Sequence, residues 1–311
     1  MQAQKDKFNK IVIWGLKNRY HTHRHIHQAF YRTAKKLGYK CVWLEDSEKS
    51  ARSIEKNDII ISIDASGKLI KEKLSIKDYN MPIRDDVFYC LHNFKTFFTD
   101  KIKPQNLLKL QIYTDKAKLA EEKWGPLTYF DPKSQTLFQP WGTNLLPEEF
   151  KEPVFNRNKT VFWIGSIWND IYDQGNINEV SELKAILKKH GIRFINVRFV
   201  PDFVNAFLIR ISRIAPAIAG RHQVSIDYPP CRMFKNISYG QLGFSNIRKF
   251  NELFGKYNIY SENMEEMVDK VLSLKESEYK DIIRKQQEVV RNYTYKNSLE
   301  NIFKAFERIM K

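Results

Sequence analysis

Short apolar runs rich in β-branched residues recur through the first third of the chain: KIVIWG (10–15), KCVWLED (40–46), KNDIIISID (56–64), VFYCLHNF (87–94) and LLKLQIYT (107–114). After the first of them the period becomes helical. Ile26, Ala29, Phe30, Thr33, Ala34 and Leu37 form one apolar stripe, which predicts a helix over roughly 23–37 ended by Gly38. Buried-type strands alternating with helices predict a parallel sheet flanked by helices.

Near Gln139 the pattern lapses into QPWGTNLLPEEFKEPVFNRNK, which has three prolines, little periodicity and the character of an interdomain linker. KTVFWIGSIW (159–168) then predicts another buried strand. It is followed by the helix INEVSELKAILKKHG, the strand IRFINVRFV, a helix from Pro201, a strand at YNIYSE and a helix at NMEEMVDKVLSL. The expected architecture is α/β, with two αβα domains in tandem at 1–150 and 151–311.

A length of 311 residues suits two domains of ordinary size, and 42 % hydrophobic with 14 % aromatic residues supplies two cores. The charged start MQAQKDKFNK is unlike a secretory signal, and the apolar stretch from Phe203 is broken by Arg210 and Arg213, against a bilayer span. Cys41, Cys90 and Cys231 form no CxxC pair, which argues against a disulfide framework or a zinc ribbon. A cytoplasmic location is expected.

The net charge of +16 implies an anionic partner or a well-solvated lysine-rich surface. The basic residues are spread along the chain rather than clustered among aromatics, so nucleic acid is not the expected partner. The amphipathic stretch 199–214 allows peripheral attachment to an anionic membrane, although core packing accounts for it equally well.

NRYHTHRHIHQAF, Asn18 to Phe30, holds His21, His23, His25 and His27. At 100° per residue His21 and His25 fall near one helix face and His23 and His27 near another, so a helix cannot bring all four onto one ion. The plain reading is a set of histidines packing a strand-to-helix turn. The functional reading rests on position: that turn lies at the carboxyl edge of the sheet, where αβα folds bind ligands. There the positive end of a helix dipole favours a neutral imidazole base. His21, His23 and His25 are the candidate bases, and Asp64, in the IDASG turn, is either the group that orients one of them or a simple turn cap.

YPPCRMFKNISYGQLGFSN, Tyr228 to Asn246, contains Arg232, Phe234, Lys235, Ser238 and Gly240 in the order R-x-F-(D/E/K)-x-x-(S/A)-x-G. NELFG, YNIYS, ENMEEMVDKVL and RNYTYKNSLENIF follow it. In this pattern and order, residues 159–311 resemble nucleotide-sugar glycosyltransferases with two facing Rossmann-like domains (the GT-B fold), particularly the CgeB-like group. The resemblance implies two Rossmann-like domains across a cleft, with an N-terminal acceptor side, a C-terminal donor side and final helices that cross back over the first domain. It implies a hexosyl- or pentosyltransferase acting on a nucleoside-diphosphate sugar and a glycan, glycolipid or glycoprotein acceptor. Gly165 and Ser166 would then lie near the phosphates, with Tyr228, Arg232, Lys235, Asn236, Ser238, Gly240, Ser245 and Asn246 on the donor.

The chemistry of the residues points the same way. A departing nucleoside diphosphate must be neutralised by a metal or by Arg, Lys and helix N-termini, and Arg232 and Lys235 start a predicted short helix. The chain has no D-x-D triplet in that setting, so no metal or other cofactor is expected. The two glutamates eight positions apart that retaining members carry are missing, since no Glu occurs between Glu182 and Glu252; an inverting reaction with a single base is expected. The competing class is a non-catalytic basic binding protein on the same fold, for nucleic acid or an anionic membrane surface. Steep loss of affinity with salt would mark nucleic-acid binding, and saturable stabilisation by one nucleoside diphosphate would mark the enzyme.

Overall fold

A computed structural model describes residues 7–18, 22–63, 80–92, 99–113, 117, 120–170, 172 and 174–311. The chain divides into two compact units, Met1–Gln139 with Tyr295–Lys311, and Pro140–Thr294.

The first unit is built on an eight-stranded sheet. Its strands are β1 (Ile11–Trp14), β2 (Cys41–Leu44), β3 (Ile59–Ile63), β4 (Phe88–His92), β5 (Leu107–Gln111), β6 (Glu122–Gly125), β7 (Thr128–Asp131) and β8 (Thr136–Phe138). Their spatial order is β2-β1-β3-β4-β5-β8-β7-β6. All pairings from β2 to β8 are parallel, whereas β7 and β6 close the sheet antiparallel. The apolar sequence of β1, and of β3 apart from Ser62, fits strands covered on both faces, and both are buried throughout. The antiparallel addition over 122–138 was not legible as strands, because Pro126 and Pro132 break the run into segments of three or four residues.

Helix α1 (Thr22–Lys36) buries Ile26, Ala29, Phe30, Thr33 and Ala34, the stripe read from the sequence, and Gly38 beyond it has φ +76°. A one-turn helix α2 (Glu48–Ala51) starts where the Ser47 hydroxyl accepts from the Ser50 N–H at 3.1 Å. The C-terminal helix Tyr295–Ile309 completes this unit: Tyr295 packs edge-on against Phe30, Phe303 stacks on Phe8, and Phe306 packs against Phe88. Arg308 binds Glu122 of β6 at 2.5 Å, and the Lys304 ammonium lies 3.9 Å from the Trp124 ring centre.

The second unit alternates strand and helix: β9 (Thr160–Ile164), α3 (Ile177–Lys189), β10 (Arg193–Val197), α4 (Asp202–Ile211), β11 (Ala215–Pro216), α5 (Arg221–Ser225), α6 (Cys231–Ser238) and β12 (Gly243–Phe244). β9 pairs parallel with β10, and β11 with β12. The Arg213 N–H donates to the Thr160 carbonyl at 2.7 Å and the Phe162 N–H to the Ser212 hydroxyl at 2.9 Å, which lays the approach to β11 alongside β9. α7 (Asn251–Phe254), α8 (Met264–Ser273) and α9 (Glu276–Val290) follow. Val161, Trp163, Leu183, Leu187, Phe244, Val268 and Ile283 share one core.

Two expectations are corrected here. β9 is buried on alternate residues, at Val161 and Trp163, rather than throughout. The stretch YNIYS does not form a strand: Gly255–Tyr257 is a 3-10 turn and Asn258–Ser261 joins no ladder. The reason lies in Gln286 of α9. Its buried carboxamide accepts from the Gly243 N–H at 2.9 Å and donates to the Gly243 carbonyl at 2.8 Å, occupying backbone groups of β12 that another strand would use.

Candidate functional site

In a parallel sheet every strand ends at the same edge, so the register decides which residues gather there. In the first unit Ile13 pairs with Ile61, and Ile63 with His92, placing the residue after β1, Gly15, at the edge where β4 ends in His92. Gly15 has φ +74° and Leu16 φ +63°, a left-handed pair in which only the glycine is without steric cost. The Gly15 carbonyl accepts from the Trp43 indole N–H at 2.9 Å and lies 3.2 Å from Nδ1 of His27.

A carbonyl can only accept, so a neutral His27 carries its proton on Nδ1 and presents a bare Nε2. Nε2 of His92 lies 3.0 Å away and must therefore donate. Both rings are fully buried, and the half-buried ring of His23, one turn before His27 on α1, lies 5.3 Å from that of His92. His25 is half-buried on the same helix. His21 and Asp64 lie outside the described residues. Sequence reasoning placed His27 in the histidine cluster at this turn but chose neither it nor His92 as a candidate base. The spacing of four on α1 does put His23 and His27 on one face, but the partner from β4 is a contact between distant segments that no spacing encodes. Among the described residues no three His, Cys, Asp or Glu side chains are grouped so as to hold a metal ion.

In the second unit Arg232 and Gly165 come together. Arg232 is the second residue of α6, and its guanidinium carbon lies over the Trp163 ring, 3.6 Å from the ring centre. Its Nη2 donates to the Ile164 carbonyl at 3.2 Å. Gly165 has φ +138°, and a Cβ there would sit 2.5 Å from Nη2, so any other residue would be strained and would displace the guanidinium from its present position. Among the described residues Arg232 makes no ion pair with a carboxylate. Burial pushes its pKa down from 12.5 to about 10, which still leaves it cationic near neutrality. Lys235, one turn further along α6 and half-buried, also has no ion-pair partner among the described residues. Arg232 thus stands at the carboxyl end of β9 with no carboxylate paired to it among the described residues.

The other expected donor residues have different structural roles. Ser166 is exposed just beyond Gly165. The Tyr228 N–H donates to the Gln223 carbonyl at 2.9 Å. Asn236 is buried and donates to the Ala215 carbonyl at 2.7 Å, and the Ser238 hydroxyl meets that of Thr143 at 2.7 Å. Gly240 ends α6 with φ +84°. The Ser245 hydroxyl donates to the Ala217 carbonyl at 2.8 Å, while Asn246 accepts from the Ala219 N–H and donates to the Ala219 carbonyl at 2.8 and 2.9 Å. Asn236, Ser245 and Asn246 therefore tie α6 and the turn after β12 to the chain between Ala215 and Ala219.

No protein-family model matches the chain, and no curated protein is similar to it. Among solved structures the chain is similar to a glycosyltransferase from Rickettsia africae, at 15 % identity and a TM-score of 0.43 over 98 % of this chain and 100 % of that one.

Proposed function

We propose that this protein is a metal-independent, inverting glycosyltransferase of the GT-B type that moves a sugar from a nucleoside-diphosphate sugar to a glycan, glycolipid or glycoprotein acceptor. The observation that carries the reading is the half-buried Arg232, held over Trp163 against Gly165 with no carboxylate partner among the described residues. A desolvated cation of this kind needs an anion, and a diphosphate has the matching charge and the oxygen spacing for a planar fork. The acceptor hydroxyl oxygen attacks the anomeric carbon, the bond from that carbon to the phosphate oxygen breaks, and the electron pair leaves on the diphosphate. Arg232 and Lys235 stabilise that charge, and the hydroxyl proton passes to an imidazole among His21, His23 and His25, with Asp64 orienting it.

Gly165 and Ser166 supply the turn that faces the phosphates, and Asn236, Ser238, Gly240, Ser245 and Asn246 hold the chain around the donor, with Tyr228 at its margin. The test is a thermal-stability panel of pyrophosphate, nucleoside diphosphates and nucleotide sugars on the wild type and Arg232→Ala. One nucleoside diphosphate is expected to stabilise the wild type saturably and the variant far less. Absence of stabilisation by every diphosphate would remove the basis of the reading.

A further inference from the structure

We propose that α4 and the turn before it form a membrane-surface ridge, in which Phe199, Phe203 and Phe207 enter the interface of an anionic bilayer. This inference does not rest on the assignment of the donor site. The inner side of α4 is accounted for by packing: Ile209 is buried with Ala215 and Tyr239, and Ala206 packs against them. The outer side is apolar too. Phe203 is 76 % and Phe207 59 % exposed on a helix that already has its core contacts, and Phe199, in the turn before it, is 62 % exposed.

Isolated exposed apolar residues are ordinary, but a contiguous ridge of phenylalanines marks an interaction surface. Phe199 also has φ +55°, a left-handed conformation that a bulky residue adopts at a cost, and its ring remains largely in water. Arg198 donates to the Ile167 carbonyl at 2.8 Å and so joins this turn to the loop after β9, where Trp168 and Tyr172 are exposed as well. Trp and Tyr beside a phenylalanine ridge are the side chains that settle at the headgroup level of a bilayer.

Charge selects the bilayer over a protein partner. From Arg193 to Asp227 the chain carries five arginines against Asp202 and Asp227, and the Trp168–Tyr172 loop adds Asp170, within a molecule of net charge +16. Arg210 and Arg213 turn inward to backbone carbonyls, but Arg198 and Arg221, just beyond β10 and β11, are exposed. Apolar insertion together with surrounding positive charge gives reversible binding to anionic headgroups. A ten-residue helix is too short to span, so it lies in the plane of the interface.

Co-sedimentation of the full-length chain with vesicles of phosphatidylcholine and phosphatidylglycerol, against vesicles of phosphatidylcholine alone, tests the proposal. The wild type is expected to sediment with the anionic vesicles and not with the neutral ones. Phe203→Ser/Phe207→Ser should reduce that partition by about tenfold or more. The melting temperature should stay unchanged, because both rings are outside the core. Failure of the wild type to sediment, equal sedimentation of the double variant, or equal binding to neutral vesicles would overturn it. So would a wild-type dimer in sedimentation velocity that the double variant dissociates, which would make the ridge a contact between copies.

Discussion

Nε2 of His27 and Nε2 of His92 lie 3.0 Å apart across 65 residues of sequence, and His27 can act as acceptor only because its other nitrogen is turned to the Gly15 carbonyl. The two rings and the carbonyl form one directional chain of hydrogen bonds. His27→Phe removes the acceptor of a buried N–H, and such a loss costs about 1–3 kcal/mol. In a double-mutant cycle His27→Phe/His92→Phe should be less destabilised than the sum of the two single variants, as measured by denaturant unfolding. Additive losses would mean that the two imidazoles do not share a proton.

The same pair shows how far the sequence could be read. The strand and helix alternation, the stripe on α1 and the glycine that ends it were legible because each depends on spacing within one segment. Arg232 was picked out by the R-x-F segment, and Gly165 only by what the family resemblance implies. Their contact, with Trp163 as the floor, was not legible, since it depends on how α6 packs over the end of β9. His92 carried even less signal: it is the last residue of an apolar strand, and only the β1-β3-β4 order brings it to His27. YNIYS misled because β propensity reports a fit to a pleated surface and does not reveal that Gln286 already occupies the neighbouring backbone groups.

Gly165→Ala tests the close approach directly. A Cβ would come within 2.5 Å of Arg232 Nη2 at a φ of +138° that alanine resists. The guanidinium must shift, so affinity for a nucleoside diphosphate should fall by about tenfold or more, with about 1–3 kcal/mol of stability lost to backbone strain. Calorimetric titration of the folded variant reads the first effect. Unchanged affinity would separate Gly165 from the anion site.

Gln286→Leu keeps the volume of the side chain but removes its bonds to Gly243 and its donation to the Tyr257 carbonyl at 3.0 Å. Leaving buried backbone groups unpaired should cost about 2–4 kcal/mol in the second unit. Hydrogen exchange at the Gly243 amide should speed up in step. A neutral substitution would mean that water replaces the carboxamide.

A chain ending at Thr294 lacks the helix that packs Tyr295, Phe303 and Phe306 against Phe30, Phe8 and Phe88. The expected result is loss of cooperative unfolding in the first unit, while the second unit keeps its own transition. Proteolysis with mass spectrometry would show cleavage in the sheet of residues 11–138 and protection across 140–294. Protection of both would show that the first unit holds without its last helix.

Arg232 links stability and binding through pH. Burial lowers its pKa from 12.5 to about 10, so between those values the unfolded chain holds a proton that the folded chain has released, and stability rises with pH across that window. Below pH 10 the folded state therefore carries the full cost of the buried charge. Contact with the Trp163 ring offsets part of it, and partial exposure screens more. Arg232→Met, which keeps length and removes the charge, should then be more stable than the wild type at pH 7, by about 1–2 kcal/mol. It should at the same time lose most of its affinity for a diphosphate. Wild-type affinity should be flat from pH 7.5 to 9 and fall as the pH passes about 10, well below the range in which an exposed arginine would titrate. If Arg232→Met is less stable than the wild type and binds a diphosphate equally well, the guanidinium is a packing element on Trp163 and the anion site lies elsewhere.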